Sequence, residues 1–298
     1  MKICVTGASG FIGSNLCYYL KNLGHEVYPI CSHTCKISDD FGENTRFIGM
    51  FGFDTNILKH VDGIMHLSAN NDTLSNQSSE MLRANFYDSK NLLKYSIKYR
   101  HKFFIYASST AVYGKTSNVI TEDIKPKANT IYSKSKLKFD KFIVKTNPRL
   151  RWTGLRLCNI YGPNEIQKTR RSSYLNQILD NMIANKDVYL FEDGTQQRDW
   201  CYVEDVCSAF TNAINNSKNG IYNIASGQAV SFIDLFNECA KVTGYKKSPI
   251  FIENKYKNQY QNKVIVDIST ASKYLSYVPK YNIAEGIKTL YELKINNI

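Results

Sequence analysis

The eight cysteines of this 298-residue chain include no C-x-x-C pair. Cys31, His33 and Cys35 stand close together, but no fourth ligand follows at zinc-site spacing, so no metal is expected. Proline is scarce at six residues and glycine totals sixteen, which excludes a collagen-like or proline-rich disordered chain. No apolar run approaches the length of a membrane-spanning helix. No leader-like segment opens the chain, because Met1-Lys2 runs into a short strand-like stretch and then glycines. No internal repeat is visible. The net charge is +12, yet no long basic run accompanies it; the longest are pairs such as Arg170-Arg171 and Lys246-Lys247. The lysines therefore read as a scattered solvated surface, and neither nucleic acid nor a membrane is an expected partner. These absences lead to the expectation of a cytoplasmic protein with reduced thiols.

What is present is globular. Apolar residues make up 43% and charged residues 21%, and the length suits one large domain or two. Ile3–Thr6 reads as a strand and is followed by glycines. Leu16, Tyr19, Leu20 and Leu23 then recur at helical spacing until Gly24, and a second strand follows over Glu26–Ile30. Further strands are expected at Arg46–Ile48, Gly63–His66, Phe103–Ala107, Trp152–Leu157, Val188–Phe191 and Ile221–Ile224. Helices are expected at Ser79–Arg100, Tyr132–Lys145, Ser172–Asn185, Val203–Asn215, Phe232–Thr243 and Ile283–Lys294. Strands alternating with helices imply a parallel sheet covered on both faces.

Gly7, Gly10 and Gly13 have G-x-x-G-x-x-G spacing between that first strand and helix. Such a turn lets backbone approach a pyrophosphate, and the helix N-terminus adds free N–H groups and positive dipole. Many NAD enzymes end the second strand with Asp or Glu, which grips the adenosine ribose. Cys31 stands there, followed by Ser32 and His33, and the missing carboxylate removes repulsion against a 2′-phosphate. His33 and Lys36 can meet that phosphate, so NADP is the expected cofactor, with NAD the alternative.

Tyr132 and Lys136 lie four apart on one helical face. Ser109 follows the strand Phe103–Ala107 and so belongs at the C-terminal sheet edge, where ligands of open α/β folds bind. A phenol titrates near 10, and a neighbouring ammonium together with a cationic nicotinamide favours its phenolate. Tyr132 can then exchange a proton with a sugar hydroxyl while hydride moves.

These markers together resemble the extended short-chain dehydrogenase/reductase family of NAD(P)-dependent nucleotide-sugar epimerases and dehydratases. The resemblance covers nearly the whole chain. It includes Thr6 to Gly13, His66-Leu67-Ser68-Ala69, Asn85, Ser109 to Gly114, Tyr132/Lys136 and Asn159-Ile160-Tyr161-Gly162-Pro163. It continues through Asp193 to Asp199, Tyr202-Val203-Glu204-Asp205-Val206 and Tyr222-Asn223-Ile224. It implies an α/β fold: a modified Rossmann, doubly wound parallel sheet with a smaller C-terminal α/β substrate lobe. The expected cofactor domain spans 1–165 with returns near 198–226, and the NDP-sugar lobe spans 166–197 and 227–298. The resemblance also implies that Ser109 binds the reacting hydroxyl, Tyr132 is the acid/base and Lys136 grips the nicotinamide ribose.

The implied cofactor contacts are Gly7, Ser9, Gly10, Phe11, Ile12, Gly13, Ser32, His33, Lys36, Leu67, Ser68, Ala69, Asn85, Tyr132, Lys136 and Ile160. The implied substrate contacts are Asn70, Asn71, Ser109, Thr110, Asn159, Arg170, Gln177, Phe191, Arg198 and Tyr260. The family's 4,6-dehydratases carry Asp-Glu after the catalytic hydroxyl residue. Thr110 and Ala111 occupy those positions here and cannot do that acid–base work. Finer details resemble the ADP-heptose 6-epimerase branch, in which Lys168 falls at a second acid/base lysine. Arg170 and Gln177 depart from that branch, which has Ser and His there. The expected reaction is epimerisation by transient oxidation, with C4 epimerisation of a UDP-hexose or reduction of a 4-keto NDP-sugar as alternatives. A homo-oligomer is expected, paired through the Ser79–Arg100 and Tyr132–Lys145 helices.

Overall fold

Apolar runs closed by turn residues supply the strands, and helices between them carry the chain back across the sheet. The computed structural model describes residues 1–31, 37–47, 55–72, 77–116, 119–165, 172–216, 218–254 and 261–296. In chain order the first half comprises β1 (Lys2–Thr6), α1 (Phe11–Asn22), β2 (Glu26–Cys31), α2 (Ser38–Phe41), β3 (Arg46–Phe47), β4 (Gly63–His66), α3 (Ser78–Leu82), α4 (Asp88–Lys98), β5 (Phe103–Ser109), α5 (Ile131–Thr146), β6 (Arg151–Leu157) and β7 (Ile160–Tyr161). There follow α6 (Tyr174–Ile183), β8 (Tyr189–Phe191), β9 (Gln197–Asp199), β10 (Cys201–Tyr202), α7 (Val203–Asn212), β11 (Gly220–Ile224), β12 (Ala229–Ser231), α8 (Phe232–Thr243), β13 (Ile250–Ile252), β14 (Lys263–Val264), α9 (Ser269–Leu275) and α10 (Ile283–Ile295).

Seven strands form one parallel sheet in the order β11-β6-β5-β4-β1-β2-β3. Parallel neighbours need crossovers, and helices on both faces provide them. Leu16, Cys17 and Leu20 of α1 share one core with Val206 and Phe210 of α7. Leu92 and Leu93 of α4 share the opposite core with Phe139 and Ile143 of α5. A third core joins α6, α8 and α10 through Leu175, Leu179, Leu235, Phe236, Ile287 and Leu290. Short ribbons β12-β9-β14, β13-β8 and β10-β7 border it. Strand order reverses between β1 and β4, whose following loops diverge and open a crevice at the C-terminal sheet edge.

The expected doubly wound sheet is observed, with three local differences. The helix expected over Ser79–Arg100 is α3 and α4 joined by a π-turn at Arg83–Tyr87. The extra residue turns polar Asn85 fully inward, and π-turns often accompany functional sites. The short strands of the C-terminal region, and α9, carry too few residues for a readable period. Finally, Cys4, Cys17, Cys158, Cys201, Cys207 and Cys239 are free and buried, but Cys31 is disulfide-bonded. The expectation of uniformly reduced thiols fails at that residue.

Candidate active site

The loop after β1 folds tightly because its glycines leave no room for side chains. Gly7 has φ +72°, and a Cβ there would lie 2.7 Å from the Ser68 backbone nitrogen. A Cβ on Gly13 would lie 2.2 Å from the Gly7 carbonyl oxygen. Helix α1 begins on Gly10 with no side-chain cap and no acidic residue in its first turn. Its leading N–H groups and positive dipole end are thereby left to an anionic ligand.

A buried polar chain holds the facing loop after β4. His66 is 4% exposed, with Nδ1 2.7 Å from the Thr6 hydroxyl and Nε2 2.8 Å from that of Ser89. The Ser89 hydroxyl donates to the Asn85 carbonyl at 3.0 Å, so it accepts from Nε2–H. Thr6 then donates to Nδ1, and its oxygen accepts from the Ser68 N–H at 3.3 Å. Burial, aided by the Lys136 charge, lowers the His66 pKa to about 3, so the ring is neutral. Asn85 grips the same loop from its side chain. Its oxygen accepts from the Asn70 N–H at 2.7 Å, and its nitrogen donates to the Asn70 carbonyl at 2.8 Å and to Ser135 at 2.9 Å.

Between these loops lies a cavity of about 400 Å³. Gly7, Ser9, Gly10, Phe11, Ile12 and Gly13 form one end, and Leu67, Ser68, Ala69 and Asn71 the side. Ser109, Tyr132, Lys136 and Ile160 complete it. The shape and the uncapped helix suit a dinucleotide whose diphosphate lies on α1 and whose reactive ring reaches Tyr132. Ser109 ends β5, and its hydroxyl accepts from the Ala111 N–H at 3.2 Å. Burial raises the Tyr132 pKa, while a hydrogen bond from Ser109 acts in the opposite direction. Lys136 is 8% exposed and donates to the Ala107 carbonyl at 3.0 Å. Burial lowers its pKa to about 8, against the pull of Asp140 one turn further along α5. Burial is the larger of the two effects on the phenol, and the one that favours its phenolate comes from Ser109 rather than from the expected Lys136.

Asp140 was not anticipated from the sequence. It pairs with Arg156 of β6 through two contacts of 3.0 Å and accepts from Tyr106 at 3.0 Å and Ser108 at 3.1 Å. Arg156 donates on to the Tyr113 hydroxyl at 2.8 Å, which in turn donates to Asn223 of β11 at 2.8 Å. This buried network joins α5, β5, β6 and β11 directly behind Lys136.

A second cavity of about 420 Å³ adjoins the first through Phe11, Ile12 and Ile160. Asn159, Arg198, Glu165, Ser173, Tyr174, Trp200 and Phe232 also line it. The Arg198 guanidinium sits 5.6 Å over the Phe232 ring and donates to the Gln197 carbonyl at 2.8 Å. Glu165 accepts from the N–H of Gly162 at 2.9 Å and of Ser173 at 2.5 Å, and burial raises its pKa. The Trp200 indole nitrogen is buried without a hydrogen-bond partner.

Most of the expected contacts lie in these walls, and several do not. Asn85 is 1% exposed and holds the loop rather than touching the cavity. The Asn70 side chain accepts from the Asp72 N–H within its own loop, leaving Asn71 to face the cavity. Thr110 donates to the Leu157 carbonyl at 3.3 Å, and Gln177 to the Ser172 carbonyl at 2.8 Å. Thr110, Gln177 and Phe191 stand outside both walls. Ser32, His33, Lys36, Lys168, Arg170 and Tyr260 lie outside the described residues. Ile30, Ala107, Ser108, Leu157, Glu165, Ser173, Tyr174, Trp200 and Phe232 were missed. Ser173 and Glu165 had no motif to mark them, and the apolar ones read only as core.

Fold and site together define an α/β protein in which Ser109, Tyr132 and Lys136 share one cavity with a glycine-rich loop. The chain belongs to the NAD dependent epimerase/dehydratase family, whose model matches residues 3–225. It is 28% identical to the ADP-L-glycero-D-manno-heptose-6-epimerase of Brachyspira hyodysenteriae, over 98% of this chain and 97% of that protein. Among solved structures it is similar to UDP-glucose 4-epimerase of Thermotoga maritima with UDP-glucose, at TM-score 0.88 and 26% identity, covering 100% and 99% of the two chains. It is also similar to UDP-glucuronic acid 4-epimerase of Bacillus cereus with UDP-glucuronic acid and NAD, at TM-score 0.84 and 27% identity, covering 100% of both.

Proposed function

We propose that this protein is an NDP-sugar epimerase acting by transient oxidation of a sugar carbon to a keto intermediate, most like the ADP-heptose 6-epimerases. The observation that carries the reading is the placement of Ser109, Tyr132 and Lys136 where a glycine-loop cavity opens toward a second cavity bearing Arg198. Held on the Gly7, Gly10 and Gly13 loop, a bound dinucleotide would supply reversible hydride acceptance. Ser109 holds the reacting hydroxyl, Tyr132 exchanges its proton, and Lys136 donates to the ribose. Arg198, with guanidinium geometry suited to phosphate oxygens, holds the diphosphate. The unpartnered Trp200 N–H supports a ligand acceptor in the second cavity. Lys168 is proposed as the second acid/base, serving the opposite epimer, with Arg170 and Tyr260 as further contacts.

NADP is proposed over NAD because β2 ends on buried Cys31, with no carboxylate to grip a ribose diol; calorimetric titration with each dinucleotide tests it. The division into a cofactor domain (1–165 with 198–226) and a sugar lobe is proposed on the separate core around α6, α8 and α10. A cytoplasmic location is proposed on the six free, buried thiols, with cell fractionation as its test. A homo-oligomer is proposed, paired through the helices at 79–100 and 132–145, which expose Tyr87, Ile97 and Val144, with light scattering as its test.

The experiment for the central reading is NMR of ADP-heptose and UDP-hexoses incubated with the protein and dinucleotide. Interconversion of epimers without net consumption of reduced cofactor is expected, and Tyr132→Phe should lower turnover by about 10²–10⁴-fold while dinucleotide still binds. C4 exchange in UDP-hexoses alone would shift the substrate class, and stoichiometric NADPH oxidation would replace the epimerase by a reductase.

A further inference from the structure

Among the described residues Glu165 is the one carboxylate on the wall of the second cavity, and it is 2% exposed. Three donors converge on it. Its Oε1 accepts from the Gly162 N–H at 2.9 Å and from the Ser173 hydroxyl at 3.0 Å, and its Oε2 accepts from the Ser173 N–H at 2.5 Å. No lysine, arginine or histidine among the described residues forms an ion pair with it. Burying a carboxylate without a cation is costly, and burial raises its pKa accordingly. Two backbone amides and a hydroxyl nevertheless need acceptors on both oxygens, and a carboxylate is the side chain that meets all three.

The two partners lie on different sides of the cavity. Gly162 follows β7 in a turn that is fixed from elsewhere. Asn15 of α1 donates to the Pro163 carbonyl at 3.0 Å, and a Cβ on Gly162 would lie 2.6 Å from the Val203 side chain. Ser173 caps α6, where its hydroxyl accepts from the Asn176 N–H at 3.2 Å while donating to Glu165. The next residue, Tyr174, packs edge-on against Phe232 with ring centroids 5.4 Å apart, and the Arg198 guanidinium lies 5.6 Å over that same Phe232 ring. We infer that Glu165 is a positioning residue: by tying the α6 cap to the fixed turn after β7, it seats Tyr174 and Phe232 and through them holds Arg198 toward the diphosphate of a sugar nucleotide. This rests on the reading of the second cavity as the sugar-nucleotide site. Without the carboxylate the start of α6 loses all three bonds to the turn, Phe232 follows Tyr174, and the guanidinium loses the ring face that sets its plane. A displacement of about 1 Å is costly in a site that must meet a ligand at fixed geometry.

The test compares wild type with Glu165→Gln, which keeps the shape and one acceptor oxygen but turns an amide nitrogen toward the Ser173 N–H. The expected result is a rise of about tenfold in KM for the sugar nucleotide and in the inhibition constant of the nucleoside diphosphate alone. Turnover number and calorimetric dinucleotide affinity should stay within about twofold. In an Arg198→Ala background the same substitution should change KM by less than about twofold, because the residue it acts through is gone. If Glu165→Gln does not fold, Ser173→Ala, which removes the hydroxyl donor, is measured in its place. An unchanged KM in a protein that turns over sugar nucleotide overturns the proposal alone. So does an equal loss of KM, turnover number and dinucleotide affinity, or full additivity with Arg198→Ala. Wild-type protein that turns over no sugar nucleotide and binds no nucleoside diphosphate overturns the functional reading, and the proposal with it.

Discussion

Asp140 shows how one buried carboxylate acts through its neighbours. It opposes the desolvation that brings Lys136 to about 8. The Lys136 ammonium is lost as pH rises through that value, so turnover that needs it should fall on the alkaline side. Asp140→Asn removes the opposing charge and should move that alkaline limb to lower pH in a turnover–pH profile; an unmoved limb would refute the role. The same change strands Arg156, which is 6% exposed, and should cost roughly 3–5 kcal/mol in thermal unfolding. His66 makes a second residue-scale prediction. Its folded pKa of about 3 lies below the ordinary value near 6.5, so only the unfolded chain takes up the proton on mild acidification. The associated stability is complete above about 6.5 and is lost as pH falls toward 3. Between pH ~6.5 and ~5 the loss should be roughly 2 kcal/mol. Urea unfolding at both pH values measures it, and His66→Gln should flatten that slope.

At the scale of elements, α1 and its glycine loop show steric need overriding helix propensity. Alanine in place of a helical glycine ordinarily stabilises by about 1 kcal/mol. At Gly13 its Cβ would meet the Gly7 carbonyl oxygen at 2.2 Å and force the loop outward. Gly13→Ala should therefore weaken dinucleotide binding about tenfold or more, by calorimetry, since small displacements of a binding loop are costly. Full affinity in a more stable variant would contradict that account. The π-turn at Arg83–Tyr87 is a related case. The apolar stripe of Leu82, Phe86 and Leu93 is legible as a helix, but the added residue is not. It answers to Asn85 finding Asn70 and Ser135, which lie in other parts of the chain.

Across the whole molecule, the C-terminal helix bears on the site. A Cβ on Gly286 of α10 would lie 1.9 Å from the Tyr161 hydroxyl, next to the Asn159 and Ile160 that line the second cavity. Gly286→Ala should push Tyr161 toward that cavity. The expected result is a rise of about tenfold in KM for the sugar nucleotide, with dinucleotide affinity unchanged. Steady-state kinetics beside a dinucleotide titration separates the two, and equal loss of both would indicate general unfolding instead.

The sequence by itself determined what depends on spacing along one element. The glycine turn, the Tyr132–Lys136 pair one helical turn apart, the strand leading to Ser109 and the alternation that makes a parallel sheet follow from fixed backbone periods and from the space glycine leaves. Only the tertiary structure decided what depends on segments brought together from far along the chain. It buried Asn85 and Asp140 behind the site, raised the Tyr132 pKa and lowered that of Lys136. It also joined Glu165, Trp200 and Phe232 into a second wall. Desolvation, hydrogen bonding and charge all depend on distance in space, and residues such as Asp140, Tyr113 and Asn223 become neighbours only once β5, β6 and β11 lie side by side.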